Sequence, residues 1–452
     1  MTKVIALLVC LLPLFVPGNA VPESQQESLV FVHVAVIDVV NGVAEPDMTV
    51  VVTGYKITDI GKSETITPSS HARVVDGTGK FLIPGLWDMH VHWYNRDYNQ
   101  LFTANGVTGV RQMFGNPELL LWRKDVEKGS MLGPRMVVAS PIVDGPQPVW
   151  PNSIAVKNEA EGRNAVKRVK KEGYDFVKVY SLLPRDAYFG IAEEAKKEGI
   201  NFAGHVPFTV SAAEASDSGQ KTIEHLTGII IHCSSRESEL RRQVIQAGPP
   251  QRGRIEAEAL QSYDMAKAEA LFARFVKNGT WQCPTLTVLR STASLGDSEF
   301  RNDPRLKYMP AQVRQRWETR ADSRVGNAPF AKRVYQKELE IVRAMNKAGV
   351  PILAGTDTGN PYCFPGFSLH DELALLVEAG LTPIEALRAA TFSPAKFLGL
   401  DGSLGTIEKN KIADMVLLDA NPLENIRNTQ KIHAVVMNGR LLARKALDKM
   451  LR

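Results

Sequence analysis

Between Leu86 and Asp357 eight short apolar runs alternate with polar and helical stretches, and this alternation restricts the fold more than any other feature of the chain. The runs are Leu86–His92, Val107–Met113, Arg135–Ile142, Phe176–Tyr180, Asn201–His205, Thr222–Leu226, Thr280–Val288 and Pro351–Asp357. Amphipathic segments separate several of them: Glu159–Glu172, Asp186–Glu198, Ser211–Asp217 and Glu338–Lys347. Strands that alternate with helices build a parallel sheet, and eight such units predict an α/β protein with a (β/α)8 barrel. In that fold the chemistry sits at the carboxyl ends of the strands. Two polar inserts, 232–270 and 290–337, follow the sixth and seventh runs and emerge on the same face, where long insertions form lids or specificity walls.

The flanking regions have a different character. Phe31–Asp38, Met48–Val52 and Tyr55–Gly61 are short β-type runs broken by Gly and Asn, and Ala413–Asp419 and His433–Gly439 resemble them. The two ends, 21–83 and 404–452, are expected to pair into one small β-sandwich interrupted by the barrel, 84–403.

Residues 1–20 differ from both. Lys3 gives a basic start, Val4–Val16 is apolar, and Gly18-Asn19-Ala20 ends in small residues. This is the layout of a secretory signal peptide cleaved after Ala20. The apolar run is too short for a transmembrane helix, and Cys10 lacks the preceding small residue of a lipoprotein signal. An exported protein, periplasmic or secreted, with no integral membrane segment after cleavage is expected. Three cysteines then remain, Cys233, Cys283 and Cys363, too few for a disulfide framework. The net charge of +5 is small for 452 residues, and its basic patches resemble solvated helix faces, which argues against a nucleic-acid partner. A monomer and a homo-oligomer are equally compatible with this composition.

The candidate chemistry begins in Leu86-Trp87-Asp88-Met89-His90-Val91-His92. Residues two apart on a strand point to one side, so His90 and His92 share a space, and neutral imidazole is a common ligand for a divalent cation. Lys178 lies inside the apolar run Phe176–Tyr180, where a buried ammonium is costly. An acid partner, a side chain that snorkels to the rim, or capture of carbon dioxide as a carbamate each resolves that cost. His205 ends Phe202–His205, His225 ends Thr222–His225, and Asp357 ends an apolar run whose carboxylate needs a partner. Singly, each has an ordinary explanation as a capping or core residue. Together, four histidines, a lysine and an aspartate on five strand ends suit a two-cation site. One cation takes His90, His92 and Asp357, the other His205 and His225, and carboxylated Lys178 bridges them with a hydroxide. Nitrogen and oxygen donors without thiolate fit Zn2+ best, with Mn2+ or Co2+ as alternatives. Tyr180 faces the same side as Lys178 and is a candidate donor to a substrate carboxylate. His370, just after the last run, is a second candidate for substrate contact, and His232 a weaker one. Trp150 and Tyr362 are candidate apolar walls, and Arg314–Arg324 a candidate source of a cation.

These motifs, with Gly204-His205-Val206-Pro207, Gly355-Thr356-Asp357 and the tail Gly405–Val416, resemble the metal-dependent amidohydrolase superfamily over about Phe31 to Leu442. Within it the chain looks most like the imidazolonepropionase-related branch that includes Xaa-Pro and Xaa-Arg/Lys dipeptidases and N-acyl amino acid hydrolases. Lys178 is a departure from imidazolonepropionases, which use one metal and no carboxylated lysine. Val110-Arg111-Gln112 departs from the Val-Arg-Asp often found after the second strand. The resemblance implies a binuclear hydrolase cleaving the amide bond of a dipeptide or N-acyl amino acid through a metal-bridging hydroxide, with Asp357 as the catalytic acid and base. Lactone, ester or phosphotriester hydrolysis on the same site is the alternative, and a non-catalytic metal-binding barrel a more distant one.

Overall fold

The computed structural model describes residues 28–323 and 325–452. The expected export segment and Arg324 lie outside the described residues. Five strands open the described chain: β1 (Leu29–Asp38), β2 (Val43–Thr53), β3 (Lys56–Lys62), β4 (Arg73–Asp76) and β5 (Phe81–Pro84). Nine follow in the middle: β6 (Leu86–Val91), β7 (Val107–Gln112), β8 (Arg135–Val138), β9 (Val143–Asp144), β10 (Ile154–Ala155), β11 (Phe176–Val179), β12 (Asn201–Gly204), β13 (Thr222–Glu224) and β14 (Trp281–Cys283). The last three are β15 (Met415–Leu418), β16 (Ile432–Met437) and β17 (Arg440–Ala443).

The two chain ends meet through β5. It pairs in parallel with β1 and antiparallel with β15, where Phe81 faces Leu418 and Pro84 faces Met415. The result is one hydrogen-bonded strand order, β17–β16–β15–β5–β1–β2–β3 with β4 beside β1. Its apolar side chains, among them Phe31, Val50, Ile57, Leu82, Met415 and Val436, form a core of their own. Burial of each such aliphatic or aromatic side chain contributes about 1.5–3 kcal/mol relative to exposure.

The middle strands pair in parallel, as short strands joined by helices must. β6 pairs with β7 and β7 with β8. A single bridge, Ala139 to Phe176, carries the series from β8 to β11, which continues through β12 and β13 to β14. Every residue of β6, β7 and β11 is buried, which explains why their sequences are continuous apolar runs and not alternating ones. The helices start and stop where sequence chemistry dictates. Glu159–Glu172 is capped by the Asn158 side chain, ends at left-handed Gly173, and buries Ala165, Val166 and Val169.

Two expected strands differ in the structure. Thr280–Val288 is a strand only over Trp281–Cys283, and Leu286–Ser294 is a helix. Thr285 turns left-handed between them (φ 53°), and the buried carboxylate of Glu372 accepts hydrogen bonds from the first helical amides, Leu286 N and Thr287 N. Pro351–Asp357 makes isolated bridges in place of a ladder: Ile352 to Gln282 on one side and Thr358 to Val91 on the other. Backbone hydrogen bonds still tie it to both neighbours, Leu353 N to Gln282 O and Met89 N to Ala354 O, each at 2.9 Å, and the approach is close. A Cβ on Gly355 would sit 2.5 Å from Cys283 Sγ and 2.8 Å from both His90 N and His90 Cβ. No helix among the described residues is long and apolar enough to cross a membrane.

Gly355→Ala is therefore expected to lower the unfolding free energy by about 1–3 kcal/mol, the usual cost of overpacking, and the midpoint with it. Urea denaturation followed by circular dichroism measures it.

Candidate metal centre

All six side chains singled out as ligands, His90, His92, Lys178, His205, His225 and Asp357, line one cavity of about 910 Å3. His90 sits on β6 and His92 one residue past its end. Their rings lie 5.4 Å apart, and their Nε2 atoms lie 3.4 Å and 3.0 Å from Asp357 Oδ1. His225 follows β13, its ring 4.5 Å from that of His90 and 5.0 Å from that of His205. Its Nε2 lies 3.9 Å from Asp357 Oδ2. Lys178, on β11, pairs in register with Ala203 of β12. The glycine beside His205 makes room for it. A Cβ on Gly204 would come within 3.1 Å of Lys178 Cδ and 2.2 Å of Val179 O.

The backbone is strained at two of the six positions. His225 and Asp357 have φ of 55° and 56°, a region costly for residues with a Cβ, by about 1–3 kcal/mol each. Backbone hydrogen bonds hold both: His225 N to Cys283 O at 3.0 Å and Asp357 N to His90 O at 2.8 Å. Such strain accumulates where a side chain must be aimed.

Three imidazoles are fixed through Nδ1. His90 Nδ1 lies 2.7 Å from Glu224 Oε2, His205 Nδ1 2.8 Å from Ser181 Oγ, and His225 Nδ1 2.6 Å from Thr285 Oγ1. The Thr285 hydroxyl donates to Pro284 O at 2.7 Å, so it must accept from His225. Glu224, a carboxylate, can only accept from His90. Both rings therefore carry their proton on Nδ1 and turn a bare Nε2 toward the cavity, as in metal sites whose ligands are oriented by outer partners. Glu224 is itself gripped by Arg111, whose Nη2 lies 2.9 Å and 3.0 Å from its two oxygens. Arg111 also donates to Met89 O and Thr222 Oγ1.

The electrostatics agree with neutral nitrogen donors. Burial pushes His90 and His205 well below the ordinary histidine range and His225 down to about 4. Burial likewise pushes Lys178 down to about 8, and among the described residues its Nζ has no hydrogen-bond or ion-pair partner. Burial alone would raise Asp357, but His225, His90 and His92 together hold it well below its usual value. Glu224 behaves likewise: Arg111 and His90 outweigh its burial.

Three buried atoms here lack a hydrogen bond of good geometry: His90 Nε2, His92 Nδ1 and Asp357 Oδ1, the last with His92 Nε2 as its close ionic neighbour at 3.0 Å. Bare His90 Nε2 and Asp357 Oδ1 face each other at 3.4 Å, acceptor against acceptor. Apart, each is a costly orphan. A cation between them satisfies both. Ligand atoms of His90, His225 and Asp357 lie within 4.8 Å of one another, so this donor set fits a divalent metal.

Tyr180 lines the cavity, its ring 3.9 Å from that of His205. Its hydroxyl oxygen accepts from Trp150 Nε1 at 2.9 Å, and Trp150 lines the wall as well. His370 does not contribute. It is buried, with Nδ1 2.9 Å from Thr429 Oγ1 and Nε2 donating to Asn105 O at 3.1 Å. The expectation that it touches substrate is corrected by these contacts, which occupy both ring nitrogens. His232 pairs with Glu237 in the first insert, and Tyr362 packs beneath Trp317. Glu224 and Arg111 carried no assigned role in the sequence. The signal was there: each is a charge inside an apolar strand, the same anomaly that marks Lys178.

The chain belongs to the Amidohydrolase family, whose model matches residues 81–442. Among solved structures, a bottromycin amidohydrolase superposes with a TM-score of 0.76 at 25% identity, covering 95% of this chain and 90% of that one. A Xaa-Pro dipeptidase with methionine bound in its active site gives 0.68 at 21%, covering 92% of this chain and 100% of that one. Among curated proteins, an imidazolonepropionase of Pseudomonas savastanoi pv. phaseolicola is 40% identical over 85 residues, 19% of this chain and 21% of its own length. An ochratoxinase of Aspergillus niger is 41% identical over 91 residues, 20% and 18% of the respective lengths. The chain thus aligns with about a fifth of each of these curated relatives.

Glu224→Gln is expected to weaken metal affinity about 10- to 100-fold by releasing His90, as measured by chelator competition. The metal-free protein is expected to lose stability with acid. A histidine held neutral by folding contributes fully above its unfolded pKa of about 6.5, and that contribution disappears as pH falls through the folded value of about 4. Urea midpoints should fall across this window, and His225→Asn should flatten the slope.

Proposed function

We propose that the protein is an exported, binuclear metal-dependent hydrolase that cleaves the amide bond of a dipeptide or N-acyl amino acid. The observation that carries this reading is the opposed, unpartnered pair of His90 Nε2 and Asp357 Oδ1 within a ring of neutral imidazoles. The family membership and the dipeptidase and amidohydrolase among the similar structures support the amide class. The basic, apolar and small-residue succession of residues 1–20 supports export. The parallel pairing and the bridges at Ile352 and Thr358 support a closed (β/α)8 barrel, 84–403, and the shared core of the terminal strands supports a sandwich-like companion, 21–83 and 404–452.

His90, His92 and Asp357 would hold one cation and His205 and His225 the other, with Lys178 between them as a carbamate. Zn2+ suits these donors. Bound cations supply Lewis acidity at the scissile carbonyl and acidify coordinated water. Lys178, lowered by burial to about 8 and without a competing partner, reaches the unprotonated amine that carbamate formation needs far more readily than an ordinary lysine. Asp357, with Oδ1 facing the cation, takes the proton of the attacking water on Oδ2 and returns it to the leaving amine nitrogen. Tyr180, kept protonated by burial that raises it to about 12, accepts from Trp150 and so retains its own hydrogen to donate to substrate.

The mature protein, supplied with zinc and bicarbonate, is to be assayed on dipeptides, N-acyl amino acids, lactones and a phosphotriester. Cleavage concentrated in carboxylate-bearing amides is expected, and turnover confined to lactones or phosphotriesters overturns the substrate class. Asp357→Asn should retain most metal by elemental analysis while kcat falls about 100- to 10,000-fold. Lys178→Ala should lose metal and recover part of its activity with added short carboxylates; full activity without them removes the carbamate.

A further inference from the structure

The helix Ala311–Asp322 belongs to the second insert and forms one wall of the cavity. Gln312, Val313, Arg316, Trp317 and Arg320 line it, a single face at three- and four-residue spacing. Trp317 sets the rotation of this face. It is buried, its ring 5.4 Å from Phe364 and 5.8 Å from Tyr362, with Nε1 donating to Gly359 O at 3.4 Å. Arg316 and Arg320, one turn apart, are therefore held toward the metal-site cavity together.

Their surroundings do not neutralise them. Like charges four apart on a helix destabilise it. Among the described residues neither guanidinium has an ion-pair partner, although fifteen other arginines on this chain do. Arg320 stacks on Trp150, 5.1 Å from the ring, and Trp150 in turn bonds the Tyr180 hydroxyl. Asp322, on the same helix, is engaged by Arg301 at 2.8 Å. Across the cavity, Arg252 of the first insert is also in the lining, and its Nε is bonded to Glu256 at 2.9 Å. Asp357, committed to the histidine ring, is the carboxylate among the lining residues. The cavity wall thus carries more positive charge than one substrate α-carboxylate answers.

We propose that Arg316 and Arg320 bind a second carboxylate of the substrate, so that the preferred substrate is a dicarboxylate: an amide of an acidic amino acid, or one with an acidic acyl group. This rests on the amide-hydrolase reading above for the word substrate, though not for the binding site itself. A carboxylate received by a guanidinium pair makes charge-assisted hydrogen bonds and relieves the repulsion along the helix.

The test uses matched pairs that differ only in a carboxylate against a carboxamide: Ala-Glu and Ala-Gln, Glu-Ala and Gln-Ala, N-acetylglutamate and N-acetylglutamine. Two readouts are taken on the zinc-loaded protein, kcat/KM for the wild type and Kd by calorimetry for Asp357→Asn. At least one pair is expected to favour the acid by about 10- to 100-fold in both readouts, the worth of a charged hydrogen bond. In Arg316→Gln/Arg320→Gln the ratio should fall close to one, with each single variant between; circular dichroism checks the fold of all three. Absence of a preference in every pair overturns the proposal, as does a preference that survives the double change. A calorimetric preference abolished by the double variant, with no amide cleaved by the wild type, upholds the dicarboxylate site and overturns the hydrolase reading.

Discussion

The buried ion pair between Arg111 and Glu224 is the interaction on which the site depends. Both are fully enclosed in the core, and either alone would be an uncompensated charge in a low-dielectric interior, a loss of about 3–5 kcal/mol. Together they do more than cancel. Glu224 stands between Arg111 and His90, so its carboxylate fixes the proton of His90 on Nδ1 and leaves Nε2 bare. Arg111 also fastens Met89 O and Thr222, tying the strand that carries His90 to the strand that carries Glu224 and leads into His225. The charge pair thereby sets both the chemical form of a ligand and the spacing of the strands that present the others.

The same economy appears in the backbone. His225 and Asp357 occupy left-handed conformations immediately after apolar runs, so the chain turns sharply while the side chain points back over the strand ends. Strand geometry alone sends successive side chains to opposite faces. The turns bring ligand atoms of His225 and Asp357 to within 4.8 Å of His90, and glycines at 204 and 355 remove the bulk that would keep the strands apart.

The inserts supply what the barrel strands do not. The strand ends present imidazole, amine and carboxylate, groups suited to a cation and to proton transfer. The two inserts add guanidinium and indole groups over the same cavity, from Arg252 on one side and from Arg316, Trp317 and Arg320 on the other. The cation-binding and proton-transfer groups and the guanidinium groups are thus carried by different parts of the chain, which permits one set to vary while the other is held by the core.

The sequence by itself determined the alternation of strand and helix, the pairing of its two ends, and the six residues that meet in the cavity. Each was legible because burial makes a charged or titratable residue in an apolar run anomalous whatever surrounds it. The same rule would have exposed Arg111 and Glu224, but only tertiary structure decided that they answer each other, because the strands that carry them are separated by more than a hundred residues. Tertiary structure also decided against His370. Its sequence position after the last apolar run placed it near the site, yet the helix beginning at Phe367 turns it toward Asn105 and Thr429. The strand expected over Thr280–Val288 became a helix at Leu286 because Glu372, distant in sequence, receives its first amides. Local pattern fixes which residues must be buried; only the packed chain fixes which way they face and what they find there.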